Sequence, residues 1–310
     1  MTGKHANASI AVLAYPGVQM SAVLGLADLF AIASDSSSRD GGPRLQVSQI
    51  ERPCPIESGA FDAVILPPNL TGARGEDAGD IMEWLRAQHG AGTIMCSVCA
   101  GAFFLGHAGL LAGRPATTHW ALEDEFRTAF PEVQLAAELL IVDDNDIVTA
   151  GGLMAWLDLG LFIVNRFLGP QAVSQTARHL LVDPGGREQR NYRSFRPPLA
   201  HGDAAVLRVQ HWLEAHCEAA ISVADMAARS RLSPRTFLRR FKSATGHTPT
   251  SYLQNLRIEK ARGLLERTLT PVGEIGWRAG YADASAFGRL FRQTTGLTPG
   301  EYRSRFGISR

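Results

Sequence analysis

Apolar and polar positions along the first 180 or so residues follow two regimes. An apolar run at 9–15 has the length and composition of a strand buried on both faces of a parallel sheet, and 61–67 and 93–97 read as further strands. Residues 20–34, 100–111, 153–168 and 172–182 instead space their apolar side chains as helices do. A short strand is expected at 116–118, and 139–142 with 147–150 flank 143–146 as the arms of a hairpin flank its turn. Strands alternating with helices predict a three-layer α/β domain.

The pattern breaks at 184–202 (PGGREQRNYRSFRPPLAHG), a stretch of Gly, Pro and polar residues without periodicity. It reads as a linker over 184–203, between a domain over 1–183 and a second over 204–310. Arg187, Arg190, Arg193 and Arg196 fall three apart in it. They read either as a solvated connector or as a contact with DNA or with the first domain.

Beyond the linker the periodicity is helical throughout and repeats itself. Val223-Ala224-Asp225-Met226 returns as Val272-Gly273-Glu274-Ile275, 49 residues on. Phe237-x3-Phe241-x3-Thr245-Gly246-x2-Pro249-x2-Tyr252 returns as Phe287-x3-Phe291-x3-Thr295-Gly296-x2-Pro299-x2-Tyr302, 50 residues on. Each copy reads as helix, short turn, helix, with the one-residue change in the turn. Ser233-Pro234 supplies a cap and a first-turn proline. Phe237, Phe241 and Ala244 then define a core face. Arg235, Leu238, Arg239 and Lys242 define another, with Thr236 beside them; 50 residues on, Ser285, Gly288, Arg289 and Arg292 form the equivalent face, with Ala284 beside them. Such a face suits the DNA major groove, where arginine forks to guanine and other cations reach phosphate. Thr248-Pro249 and Thr298-Pro299 start further helices, the latter with Glu301 as a capping box. A helix over 249–266 is about 27 Å long, a spacer able to hold two recognition helices about one DNA turn, ~34 Å, apart.

Composition narrows the class. The 310 residues are 45% hydrophobic and 20% charged, which excludes disorder and collagen-like order. No apolar run reaches about 18 residues, so no membrane span is expected. The MTGKHANAS start lacks the features of a signal peptide. Cys54, Cys96, Cys99 and Cys217 make no disulfide framework, and a reduced cytoplasm is the expected location. No metal and no cofactor are called for. The net charge of +1 conceals −7 over 1–202 (14 basic, 21 acidic) and +8 over 203–310 (17 basic, 9 acidic). That layout fits a nucleic-acid-binding module joined to an acidic partner domain, or two solvated surfaces that differ by chance.

Candidate chemistry concentrates at 94–103 (IMCSVCAGAF). A strand runs through small residues into a helix, the layout of a nucleophile elbow with Cys99 at the turn. Cys99 is then an exposed thiol favoured as thiolate by the helix dipole, or a small buried residue. Cys96-x-x-Cys99 also spells a redox pair, although Cys96 falls within the strand. His119, after the strand at 116–118, is placed to meet Cys99 at the carboxyl edge of the sheet. Tyr15, Trp120 and Trp156 are candidates for an aromatic wall around a quaternary ammonium, or for core positions.

Two families are resembled. Residues 204–310 resemble the AraC/XylS-type DNA-binding domain through Arg257-Ile258-x2-Ala261-x2-Leu264-Leu265, Gly280-Tyr281, Phe287-x-Arg289-x-Phe291 and Gly296-x-Thr298-Pro299-x2-Tyr302-Arg303. Arg231 stands where that family often has glycine. Residues 8–182 resemble the class I glutamine amidotransferase-like ThiJ/PfpI domain, a flavodoxin-like three-layer sandwich. The matching segments are Tyr15-Pro16-Gly17, Gly25-x2-Asp28-x-Phe30, Ser97-Val98-Cys99-Ala100-Gly101-Ala102, Ala108-Gly109-Leu110-Leu111-x-Gly113, Ala116-Thr117-Thr118-His119-Trp120 and Thr149-Ala150-Gly151-Gly152-x5-Asp158. Together they resemble the GlxA-type branch of AraC regulators.

That resemblance implies a homodimeric transcriptional activator that binds promoter DNA and RNA polymerase. It also implies a sensor for an amino-acid or betaine-like effector, held by Cys99, Ala100, His119, Trp120 and Tyr15. Enzymes of the superfamily set an Asp or Glu against the cysteine, and Ala22 stands at that position here. The resemblance therefore implies a domain without catalysis. The alternatives are a ThiJ/PfpI-type cysteine hydrolase, hydratase or amidase fused to a DNA-binding domain, and a first domain that only dimerises.

Overall fold

The structure, a computed structural model, describes residues 7–51, 60–72, 78–185 and 187–308. The chain divides between Gln189 and Arg190 into two compact units.

In the first unit β1 (Ala8–Leu13) is followed by α1 (Met20–Arg39), β2 (Leu45–Ile50), β3 (Ala63–Leu66), α2 (Gly79–Gly90), β4 (Ile94–Val98) and α3 (Gly101–His107). Then come β5 (Pro115–Ala116), α4 (Glu123–Ala129), β6 (Gln134–Leu135), β7 (Ile141–Asp144), β8 (Ile147–Ala150), α5 (Trp156–Leu168) and α6 (Pro170–Leu180). Six strands form one sheet in the order β2-β1-β3-β4-β8-β7, parallel except for β7, which pairs antiparallel with β8. The apolar runs of β1, β3, β4 and β8 are buried because helices cover both faces of the sheet. On one face Val23, Leu26, Phe30, Leu159, Ile163 and Val164 join α1 and α5 to the strands. On the other, Trp84, Leu85, Phe103, Phe104 and Phe126 join α2, α3 and α4. This is the three-layer sandwich expected from the sequence.

Boundaries moved where local pattern and tertiary pairing disagree. β2 (LQVSQI) has no strand-like apolar run. It exists because its backbone pairs in parallel with β1 from Ala8↔Leu45 to Leu13↔Ile50, at the sheet edge where mainly one face needs covering. The hairpin at 143–146 forms as expected, with Asn145 left-handed (φ 63) and its N–H bonded to Asp143 Oδ1 at 3.1 Å. Arg114 clamps that turn through Asp144 and Asp146, which holds the Asp146 carboxyl far below its usual range.

The second unit is helical: α7 (Ala204–His216), α8 (Val223–Ser230), α9 (Pro234–Thr245), α10 (Pro249–Arg267), α11 (Val272–Arg278), α12 (Ala284–Thr295) and α13 (Pro299–Phe306). The sequence repeat is a structural repeat. Phe237 and Phe241 lie 5.3 Å apart, and Phe287 and Phe291 lie 5.6 Å apart. Each second phenylalanine meets its tyrosine edge-on, Phe241–Tyr252 at 5.3 Å and Phe291–Tyr302 at 5.4 Å. Thr245 and Thr295 close their helices in the same way, each hydroxyl donating to the carbonyl of the preceding phenylalanine, at 2.7 and 2.8 Å. Gly246 and Gly296 then turn left-handed at φ 73 and 78. At the α8–α9 turn Arg231 adopts φ 59, where the second copy has Gly280 at φ 90. A side chain in that conformation costs about 1–2 kcal/mol. Among the described residues no helix is long and apolar enough to cross a membrane.

Candidate functional site

Two places carry candidate chemistry. In the first unit β4 delivers the chain to the carboxyl edge of the parallel strands, where Cys99 turns sharply at φ 55 into α3. Such strain persists only where neighbours fix it. Here the Cys99 N–H donates to Ala150 O at 2.7 Å, and Thr118 Oγ1 donates to Cys99 O at 2.7 Å. The small residues are required: a Cβ on Gly101 would stand 2.3 Å from Leu66 O. The elbow read from the sequence is therefore present, with Cys99 buried in it. Cys96 is not its redox partner. It lies within β4 between Ile65 and Val148, the two cysteines form no disulfide, and burial pushes the Cys96 thiol up to about 12.

Thr118 brings the next loop against the elbow. His119 and Trp120 follow it, half-buried, with their rings 5.4 Å apart. His119 Nδ1 accepts from Ala121 N at 3.0 Å, capping the short 3₁₀ turn Trp120–Leu122. In the neutral ring the proton then sits on Nε2, so this nitrogen is set up to donate rather than to act as a base. Ala22, on α1, is fully buried in the same apolar layer as Cys99 and Ala100. No carboxylate stands at that position.

Two of the aromatic candidates belong to the core. Tyr15 is 2% exposed, packs 4.5 Å from Phe104 and donates its hydroxyl to Pro67 O. It is a satisfied core residue on the α3 side of the sheet, whereas Cys99 belongs to the α1 side. Trp156 lies against Gly25, where a Cβ would come within 2.5 Å of its ring. Its Nε1 and Gln19 Oε1 are buried without a hydrogen-bond partner. A separate concavity of about 560 Å³ lies beside β7, α5 and α6, where Arg187 pairs with Asp158.

In the second unit the two candidate faces are exposed in matching register. On α9, Phe237 and Phe241 are buried while Arg235, Leu238, Arg239 and Lys242 are exposed, with Thr236 partly covered. On α12, Phe287 and Phe291 are buried while Ala284, Ser285, Arg289 and Arg292 are exposed, with Gly288 partly covered. Ser243 and Gln293 extend the faces by one further exposed position each. The 50-residue spacing already linked that pair in the sequence. Other arginines of this unit are committed inside it. Arg240 forks onto Asp203 at 2.7 and 2.8 Å, Arg257 binds the carbonyls of Cys217 and Ala219, and Arg262 is buried. The Arg257-Ile258 motif is thus structural, tying α10 to the end of α7.

The comparisons with known proteins agree with this division. Residues 226–305 match the helix-turn-helix domain family, and residues 42–166 match the DJ-1/PfpI family. The transcriptional regulator CdhR of Pseudomonas aeruginosa is 28% identical over 226 residues, covering 72% of this chain and 67% of CdhR. ArgR of the same organism, also a transcriptional regulator, is 30% identical over 217 residues, covering 69% of this chain and 65% of ArgR. The transcriptional activator RhaS of Escherichia fergusonii is 42% identical over 101 residues, covering 33% of this chain and 36% of RhaS. The aligned region thus spans about two thirds of the first two relatives and about one third of the third.

Proposed function

Because this chain belongs to the AraC-type helix-turn-helix regulators that carry an N-terminal DJ-1/PfpI domain, we propose that it controls transcription in answer to a small nitrogenous metabolite. Promoter DNA is bound by α9 and α12 of the second unit, and the metabolite by the first. The observation that carries this reading is the doubled face: Arg239 and Arg289, 50 residues apart, are both exposed over a phenylalanine-packed core in a segment of charge +8. One such helix is a common solvated surface. Two in the same register form a paired reading head.

The effector is amino-acid- or betaine-like and is held near Cys99, Ala100, His119 and Trp120. Supporting this, Trp156 Nε1, in the layer that holds Cys99 and Ala100, is a buried polar atom without a hydrogen-bond partner that a ligand would satisfy. The domain acts as a receptor without turnover. Ala22 gives no proton relay, and the Nδ1 lone pair of His119 is already engaged by the Ala121 N–H. Binding shifts the balance between two states of a cytoplasmic homodimer that recruits RNA polymerase as an activator, and the shift is bounded by the ligand's differential affinity for those states.

The first test is selection of bound sequences from random duplexes by the full chain, then footprinting. Two recurrent contacts about one helical turn apart support the reading, and salt-sensitive binding without sequence preference refutes it. The second is thermal unfolding against amino acids, betaines and polyamines, where a ligand at 100 times its Kd adds about 2.7 kcal/mol. One observation favours a second reading, that of a hydrolase or hydratase: Cys99 keeps the strained elbow geometry. Consumption of the stabilising ligand, lost in Cys99→Ser, would establish it.

A further inference from the structure

Gln189 closes the first unit, and its side chain is 2% exposed although it lies in a stretch rich in Gly, Pro and charge. The carboxamide is fully matched. Nε2 donates to Thr118 O at 2.8 Å, Leu139 O at 2.9 Å and Thr117 Oγ1 at 3.1 Å. Oε1 accepts from Trp120 N at 2.9 Å. Gly151 leaves the room, since a Cβ there would lie 1.8 Å from Gln189 Nε2 and 2.7 Å from Thr118 O. Three acceptors on one side and one donor on the other fit a primary carboxamide and little else. A carboxylate would turn a negative oxygen onto two carbonyls, and an ammonium would leave the Trp120 N–H without an acceptor.

We propose that this slot is a primary-amide site in which Gln189 is the chain's own ligand, and that its occupancy latches the segment leading into the helical unit. The slot is built from the loop proposed to hold the effector. Thr118 bonds Cys99 O at 2.7 Å, and Trp120 adjoins His119. One peptide bond further, the chain is held by the second unit's own helices. Arg262 on α10 donates to the carbonyls of Arg190 and Arg193, and Asn191 Nδ2 donates at 2.8 Å to the carbonyl of Thr295, the last residue of α12. A ligand that displaces Gln189, or moves Trp120 and Thr118, therefore releases the residue next to those that close the second recognition helix. The ligand class that competes directly is a small primary amide. The regulatory consequence rests on the reading of this chain as a ligand-responsive regulator, whereas the slot does not.

The test uses the full chain without DNA: wild type, Gln189→Ala, and Gln189→Asn should the alanine variant fail to fold. Hydrogen exchange is read at the Trp120 amide and over 190–196, with acetamide as the probe and acetate and N,N-dimethylacetamide as controls. Loss of the side chain should speed exchange at both places by about tenfold or more. Acetamide should restore protection at Trp120 in the variant but leave 190–196 fast, because a free amide fills the slot without tethering the chain. Neither control should protect Trp120. Unchanged exchange over 190–196 in the variant overturns the latch, and protection of Trp120 by acetate as strong as by acetamide overturns the amide site. A variant that behaves as expected while wild type selects no DNA sequence upholds the latch and separates it from the regulatory reading.

Discussion

Replacing Gly288 by alanine is expected to stabilise the helical unit and to weaken DNA binding at the same time. Gly288 is the fifth residue of α12, inside the helix, where glycine is about 0.8–1.0 kcal/mol less favourable than alanine. A Cβ there meets no atom within 4 Å, so no steric cost offsets the gain. For a unit of about 120 residues, 1 kcal/mol corresponds to a rise in Tm of about 3–6 °C. The matching position on α9 is Leu238, which is 43% exposed, so the two exposed faces differ in bulk at one spot. A helix-disfavouring glycine stands where alanine fits freely, on the face proposed to read DNA, and this points to close approach of DNA to the α12 backbone. A methyl group inserted there should cost about 1–3 kcal/mol of binding, by the general cost of overpacking a closed contact. Urea unfolding of the helical transition and fluorescence anisotropy on a selected duplex at fixed salt measure the two effects. Gly300→Ala on α13, where a Cβ also meets nothing within 4 Å, serves as the control without a DNA effect. Unaltered affinity of Gly288→Ala would refute the close approach, and an unaltered unfolding midpoint would refute the open helical position.

Arg239→Ala and Arg289→Ala should each cost about 1–3 kcal/mol of binding and relax preference at the bases they contact. A uniform loss over all sequences, seen by repeating the selection, would make them phosphate contacts instead. Gly101→Ala places a methyl 2.3 Å from Leu66 O and should destabilise the first unit by several kcal/mol (about 1–3 for overpacking alone), visible as an early thermal transition while the helical transition stays in place. The Arg240 guanidinium, together with the first N–H groups of α7, holds the Asp203 carboxyl below its usual range. The stabilisation is thus full above the unfolded value near pH ~4 and is lost as pH falls through the lower folded value. Asp203→Asn should lower the helical unit's stability at neutral pH and flatten its acid limb. An acid midpoint identical in wild type and variant would show that the pair is solvated away.

The second unit was almost fully legible because its signals are local. Ser233-Pro234 and Thr248-Pro249 cap helices with bonds that reach only three residues, Ser233 to the Thr236 N–H and Thr248 to the Ser251 N–H. Thr298 and Glu301 close the capping box expected from their spacing. A second box, Ser222 with Asp225, carries the same Ser-x-x-acid signal in the sequence. In the first unit, α2 also had a readable signal, with Ile81, Leu85 and Gln88 buried at i, i+4 and i+7.

By itself the sequence determined the α/β and helical classes, the division of charge, the cysteine elbow and the doubled exposed face of α9 and α12, since each depends on the order of residues within one turn, strand or repeat. Tertiary structure alone decided the rest. β2 is a strand because β1 offers its edge, and Tyr15 is a core residue because Phe104 and Pro67 O close around it. His119 caps the turn at Trp120–Leu122 because its Nδ1 accepts the Ala121 N–H. Gln189, read as part of a linker, is buried because Thr117, Thr118, Trp120, Leu139 and Gly151 converge on one carboxamide from 38 to 72 residues away. A polar side chain far from its partners leaves no periodic trace in the chain, and its burial is favourable only where every donor and acceptor is met at once.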